Sequence, residues 1–227
     1  MGAGSPEGVA APPAGDRFFG RANQIGYTFV RLFALAVIRP YFRIRLEGRE
    51  HLPDEGPWIV APNHRSYLDP VVLQTPIRGH RLIFLMTRSW YDRRFLKPFF
   101  RLMKCIPVED EARNRKALEQ AVAVLRRGVP VGIFPEGQLS RSPELGHFSP
   151  GVASLALRTG VPIVPAGILG TERALPKGKL LPRPCKVIVR LGPALWPLSG
   201  EAARGLSRRD ILDDLTRRLK AAVESLL

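Results

Sequence analysis

The sequence predicts an α/β fold: a single-domain αβ sandwich with a mostly parallel mixed sheet flanked by helices, preceded by an amphipathic N-terminal helix. Three observations carry this. Short apolar runs of strand length, at residues 58–61, 81–86, 105–108, 129–134 and 161–169, are separated by segments of helical period. Such alternation favours a sheet whose strands run largely parallel, with helices covering its faces. The composition, 45% apolar and 24% charged, is that of a globular chain, and 227 residues suffice for one sizeable domain with tails. No internal repeat is present.

The elements follow in order. Residues 1–16 are rich in Gly, Pro and Ala and are expected to form a disordered tail. They are no signal peptide, because a basic start followed by an apolar core is missing. Pro6 stands where a myristoylation motif requires Ser or Thr. In residues 17–46, Ile25, Phe29, Leu32, Phe33, Ala36 and Val37 recur at helical spacing, punctuated by Arg17, Arg21, Arg31 and Arg39. The uncharged runs are too short to span a bilayer. Two readings stay open: a basic amphipathic helix lying in a membrane headgroup region, or a helix packed on the domain's own core. The α/β domain is placed at 47–227.

Within it, residues 58–61 form a strand and Pro70 opens a helix. A strand at 81–86 leads to a helix or helix pair at 89–103. Its cluster Phe95, Leu96, Phe99, Phe100 and Met103 is either core or the wall of an apolar site. A short strand at 105–108 precedes an amphipathic helix at 112–127, with Leu118, Ala121, Val122 and Leu125 on one face and Gly128 as its stop. A strand at 129–134 and a helix at 151–158, ended by Gly160, come next. Strands at 161–169 and 185–191 follow. Ser207 and Asp210 make a capping box for a last helix that buries Leu212, Leu215, Leu219 and Val223.

A formal net charge of +15 implies attraction to polyanions: nucleic acid, an anionic membrane surface or an anionic substrate. The arginines are scattered through apolar segments and no nucleic-acid-binding signature occurs, so a nucleic-acid partner is not expected. Cys105 and Cys185 sit in strand-like contexts, which fits a reducing compartment. The four histidines show no metal-ligand spacing with them, and no metal is expected.

Chemistry concentrates in two strand-end loops, where open α/β sheets bind their ligands. In Asn63-His64-Arg65-Ser66-Tyr67-Leu68-Asp69-Pro70, Asp69 is spaced to fold back beside His64. A carboxylate on one ring nitrogen fixes the tautomer and leaves the other as a base. No Ser or Cys is paired with them, so the substrate supplies the nucleophile. The alternative is a surface His beside a helix-capping Asp. The second loop, Phe134-Pro135-Glu136-Gly137-Gln138-Leu139-Ser140-Arg141, also ends a strand. Glu136 is suited to accept hydrogen bonds from a polyol, Gly137 to allow close backbone approach, and Ser140 and Arg141 to donate to a phosphate. The alternative is a charged turn. In a parallel sheet both loops lie on one edge and can share one cleft.

Four blocks occur in order: Asn63-His64-x4-Asp69, then Ile106-Pro107-Val108, then Phe134-Pro135-Glu136-Gly137, then residues 161–167 (VPIVPAG). Over roughly residues 45–195 the chain resembles the glycerolipid acyltransferase family, above all bacterial 1-acyl-glycerol-3-phosphate acyltransferases. The resemblance implies that His64 takes the proton of an acceptor hydroxyl, which attacks an acyl thioester of coenzyme A or acyl carrier protein, while Asp69 holds the ring. It places Glu136 and Gly137 at the acceptor site. Asn63, Arg65 and Ser66 around the base are further candidates for substrate binding. No cofactor is implied. The expected setting is the cytoplasmic face of the cell membrane, with a lysophospholipid acceptor. Two departures stand out: Asp110 and Leu139 occupy positions where the family carries arginines at the acceptor phosphate. Either Arg113 and Arg141 replace them, or the acceptor is another lysolipid, such as a lyso-ornithine lipid, or an alcohol without that phosphate. A non-catalytic lipid-binding protein on the same fold is a further alternative.

Overall fold

The computed structural model describes residues 19–77, 79–109, 114–140, 142, 144–175 and 181–227. The expected tail at 1–16, Arg113 and Arg141 lie outside the described residues.

The chain enters through helix α1 (Arg21–Phe33), continues through a π-helical turn (Ala34–Ile38) and ends the helix in α2 (Arg39–Tyr41). Strand β1 (Arg45–Glu47) follows, then β2 (Ile59–Pro62), α3 (Asp69–Gln74), β3 (Ile83–Thr87), α4 (Arg88–Tyr91), α5 (Lys97–Leu102) and β4 (Ile106–Val108). The second half holds α6 (Asn114–Leu125), β5 (Val131–Gly132), α7 (Gly151–Thr159), β6 (Ile163–Leu169), α8 (Thr171–Ala174), β7 (Ile188–Leu191) and α9 (Arg208–Glu224).

The seven strands form one sheet in the order β1-β7-β6-β2-β5-β3-β4. Every pairing is parallel except β6 with β7. The fold is therefore the mostly parallel, mixed α/β sheet read from the alternation. Strand side chains alternate between faces. Ile59 and Ala61 of β2 join one apolar cluster with α6, α7 and α9, whereas Trp58 and Val60 join a second cluster with α3 and α8. Helix ends follow local chemistry. Gly160 closes α7 at φ 72°, and Ser207 and Asp210 form the expected reciprocal cap on α9.

The boundary at 47 needs correction. Arg45 to Glu47 already pair with β7, and Phe42 and Ile44 before them are buried in the core. Three-residue β1 is legible only through its parallel partner, more than 140 residues later. The N-terminal helix is also no mere appendage. Asn23 Nδ2 donates to Leu102 O at 2.9 Å, and Gly26 lies so close to Leu102 that a Cβ there would meet its methyl at 2.8 Å. Arg81, only 9% exposed, reaches across to this helix. Its guanidinium donates to Asn23 Oδ1 at 2.7 Å and to Leu102 O, and lies about 4 Å from the rings of both Phe19 and Tyr27. Burial pulls the guanidinium down to about 10 and pushes the Tyr27 hydroxyl up. The opposite face of the helix carries Ile25, Phe29, Leu32, Phe33 and Val37, all exposed. Among the described residues, no helix is long and apolar enough to cross a membrane.

Candidate active site

Strands β2 and β5 are parallel neighbours, with Val60 opposite Gly132 and Ile133 N donating to Val60 O. Their C-terminal ends therefore deliver both signature loops to the same edge. Here His64 Nδ1 lies 2.9 Å from Asp69 Oδ2. Asp69 is fully buried, and the same oxygen accepts from the main-chain N–H of Arg65 at 2.7 Å and of Ser66 at 2.8 Å. The carboxylate thus folds the loop around itself and fixes the imidazole. Because Asp69 Oδ2 accepts, Nδ1 carries the proton and Nε2 is the basic nitrogen.

The second loop grips the first. Glu136 Oε1 accepts from the His64 N–H at 2.8 Å, Glu136 Oε2 accepts from Gly146 N–H at 3.2 Å, and the Ser140 N–H donates to His64 O at 2.8 Å. The His64 backbone is held on both sides by residues more than seventy positions away. Phe134 lies flat on the imidazole, with ring centroids 3.9 Å apart. Phe134 in turn stacks near Phe84, which crosses Gly132 so closely that any Cβ there would collide with its ring at 2.3 Å. Gly132 is thus needed for the aromatic support beneath the base.

Several expected substrate contacts are redirected by this geometry. Asn63 is fully buried; its side chain donates to Ile168 O at 3.0 Å and accepts from Ile168 N–H at 2.7 Å, bracing the loop against β6. Ser66 is buried, and its hydroxyl accepts from Leu68 N–H at 3.3 Å. Glu136 accepts from a backbone amide at each oxygen, a bracing role that the sequence reading did not include. The Ser140 hydroxyl is directed to the carbonyls of Ser142 and Glu144. Arg65 contributes its main-chain N–H to Asp69. A cavity of about 1050 Å³ opens beside His64, and among the described residues its wall takes in His64 and Gly137 but not Asn63, Arg65, Ser66, Glu136 or Ser140. Gly137 sits there at φ 69°, a conformation that suits glycine.

The rest of the wall is largely apolar. Leu96, Phe99, Phe100 and Met103 line it, which resolves that cluster as a cavity wall, while Phe95 points away. Val30 and Ala34 of the N-terminal helix line it too, together with Arg31. Sequence reading missed both this contribution and Arg81, because neither side of α1 betrays its partner locally. Cys105 also borders the cavity, and burial pushes its thiol up to about 12. At neutral pH it is a neutral apolar lining group and no nucleophile. A mostly apolar space can hold an aliphatic chain, and the carboxylate-oriented imidazole in its wall can deprotonate a hydroxyl.

Comparison with known proteins gives the chain's family. The Acyltransferase family profile matches residues 43–169. A chloroplastic 1-acyl-sn-glycerol-3-phosphate acyltransferase of Arabidopsis thaliana is 30% identical over 159 residues, covering 69% of this chain and 44% of that protein. A Chlamydomonas reinhardtii protein of the same description is 32% identical over 182 residues, covering 79% of this chain and 55% of its own length. The chain therefore spans about half the length of these relatives. A Bacillus subtilis 1-acyl-sn-glycerol-3-phosphate acyltransferase is 23% identical over 140 residues, covering 60% of this chain and 69% of its own. In fold, the chain resembles the crystal structure of a 1-acyl-sn-glycerophosphate acyltransferase from Thermotoga maritima, with a TM-score of 0.66 and 23% identity over 93% of this chain and 85% of that one.

Proposed function

From the premise that this chain belongs to the acyltransferase family, we propose that it transfers a fatty acyl group from an acyl thioester to the free hydroxyl of 1-acyl-sn-glycerol-3-phosphate, giving phosphatidic acid. The observation that carries this reading is the Asp69-oriented His64 in the wall of a large, mostly apolar cavity. The relatives described as acting on this lysolipid support the choice of acceptor.

His64 Nε2 takes the proton of the acceptor hydroxyl as its oxygen attacks the thioester carbonyl. Asp69 stabilises the imidazolium that forms. The C–S bond then breaks, and the proton passes to the leaving thiolate. The substrate supplies the nucleophile, so no covalent acyl-enzyme is formed. A positioned base of this kind contributes on the order of 10²- to 10⁴-fold. The donor is acyl-coenzyme A or an acylated carrier protein. The enzyme works at the cytoplasmic face of the cell membrane as a peripheral protein, with the outward row of α1 on the lipid surface.

The acceptor phosphate requires a cation. Arg113 and Arg141 are proposed for it, and Arg31, which lines the cavity, is a further candidate. Purified protein incubated with acyl-coenzyme A and a panel of lysolipids, with products read by mass spectrometry, tests the reading. Phosphatidic acid as the main product supports it. Acylation confined to a lysolipid without a phosphomonoester would replace the acceptor, and no acylation of any acceptor would leave a lipid-binding protein.

A further inference from the structure

A second apolar surface lies beside the cavity, on the turn between α4 and α5. Phe95 is 91% exposed at its tip. The turn is not slack. Arg88 Nε and Lys97 Nζ each donate to the Asp92 carboxylate at 2.7 Å, and the N–H groups of Leu96 and Lys97 both donate to Arg93 O. Phe95 is thus held outward by a braced turn. A single exposed phenylalanine means little. This one has company: Phe99, one helical turn later, is partly exposed on the same hairpin.

The charge around it is predominantly positive, with Asp92 and Glu109 both paired to Arg88. Arg93, Arg94 and Arg101 are exposed nearby, and Asp92 is already committed to Arg88 and Lys97. An aromatic tip among cations matches the interfacial zone of an anionic bilayer, where rings bury and basic groups meet headgroups.

The position of the tip strengthens the match. Helix α1 packs against α5 through Asn23, Gly26 and Leu102. Further along α1, Val30 and Ala34 face the same cavity as Leu96 and Phe99. The exposed residues Phe29 and Phe33 neighbour Val30 and Ala34 in the chain, as Phe95 neighbours Leu96. Each of the two elements therefore shows one apolar side to the cavity and another to the outside.

We propose that the Phe95 turn is a second membrane-inserting element, which with α1 forms the two banks of a lateral port through which an aliphatic chain passes between one leaflet and the cavity. This rests on the peripheral-membrane reading above and adds a distinct contact to it. The partner is an anionic lipid surface.

The test uses the full chain, vesicles of phosphatidylcholine with and without phosphatidylglycerol, and the variants Phe95→Asp, Phe29→Asp and Phe95→Trp. Phe95 lines no part of the cavity, so Phe95→Asp is expected to keep turnover of a short-chain, monomeric lysolipid. Its partition onto anionic vesicles should fall about tenfold or more, as expected for losing one buried aromatic side chain. Fluorescence of the Phe95→Trp protein should gain a component that is quenched by brominated phospholipid. Wild-type partition by Phe95→Asp, or a Phe95→Trp protein whose added fluorescence is untouched by the quencher, overturns the second contact, while loss of binding in Phe29→Asp alone leaves the α1 anchor standing. A wild-type protein that binds no vesicle removes the peripheral-membrane reading itself, and the port with it. A dimer in light scattering that Phe95→Asp dissociates would assign the patch to a second copy and overturn the proposal.

Discussion

At the residue scale the site is a short hydrogen-bond circuit around one imidazole. Asp69→Asn places an amide where Oδ2 now accepts from three N–H donors, and its NH₂ can impose the wrong tautomer on His64. We expect a loss of kcat on the order of 10²- to 10⁴-fold with little change in KM, read from steady-state kinetics; full activity would reduce Asp69 to a helix cap. Glu136→Gln sets an NH₂ against one of two backbone N–H groups that now share the carboxylate, those of His64 and Gly146. It should lower stability by about 1–3 kcal/mol in urea unfolding and lower kcat with it. Unchanged kcat would show that the brace does not position the base. For the acceptor, Arg141→Ala, and less strongly Arg113→Ala, should raise the acceptor KM roughly ten- to hundredfold, the loss of one charge-assisted contact, and leave the donor KM nearly unmoved. Shifts of under about twofold in both would pass the role to Arg31 or to a different acceptor. His64 and Asp69 were legible because one short loop contains both partners and the turn that joins them. The bracing contacts of Glu136 were not legible. Its partner is the main chain of a residue 72 positions earlier, a relation that exists only once β2 and β5 lie side by side.

At the element scale, α1 is at once a wall of the cavity, a docked part of the domain and a bearer of an exposed apolar row. The periodicity of its apolar residues was readable, and the structure gives the helix both a face docked on the domain and an exposed apolar face. Composition cannot separate such faces, because Val30 and Phe29 are both apolar and differ only in what lies opposite them. Deleting residues 1–40 would consequently damage the cavity as well as any anchor, and point substitutions on the outward face test the anchor more cleanly. Arg81 is the fastener. Arg81→Ala removes its bonds to Asn23 and Leu102 and its contacts with Phe19 and Tyr27. The expected result is a loss of about 2 kcal/mol or more in urea unfolding, together with faster tryptic cleavage at Arg21 and Arg31. Wild-type cleavage rates in Arg81→Ala would mean that the helix is held by apolar packing alone. The strands and longer helices were read from the alternation with ends shifted by a few residues, because strand ends are set by neighbouring strands. β1 was missed for the same reason.

At the scale of the whole molecule, the parallel order of β2 and β5 gathers two distant loops at one edge, and the helices on that side enclose an apolar space behind them. The net charge of +15 surrounds this with a field that attracts anions. Binding to anionic vesicles should therefore weaken steeply between low and physiological salt, by sedimentation, and binding indifferent to salt would leave apolar insertion as the main force. The central claim is that His64 is the base for acyl transfer to a hydroxyl. His64 is stacked on Phe134 and bonded to Asp69, so His64→Ala should cost roughly 1–2 kcal/mol of stability, and a urea melt must first establish that the variant is folded. The decisive measurement is thiol release from acyl-coenzyme A by the folded wild type and the folded His64→Ala protein, with and without 1-acyl-sn-glycerol-3-phosphate. The predicted result is release by the wild type that depends on the lysolipid, and a rate lower on the order of 10²-fold or more in His64→Ala. Lysolipid-dependent release at wild-type rate in folded His64→Ala would contradict it.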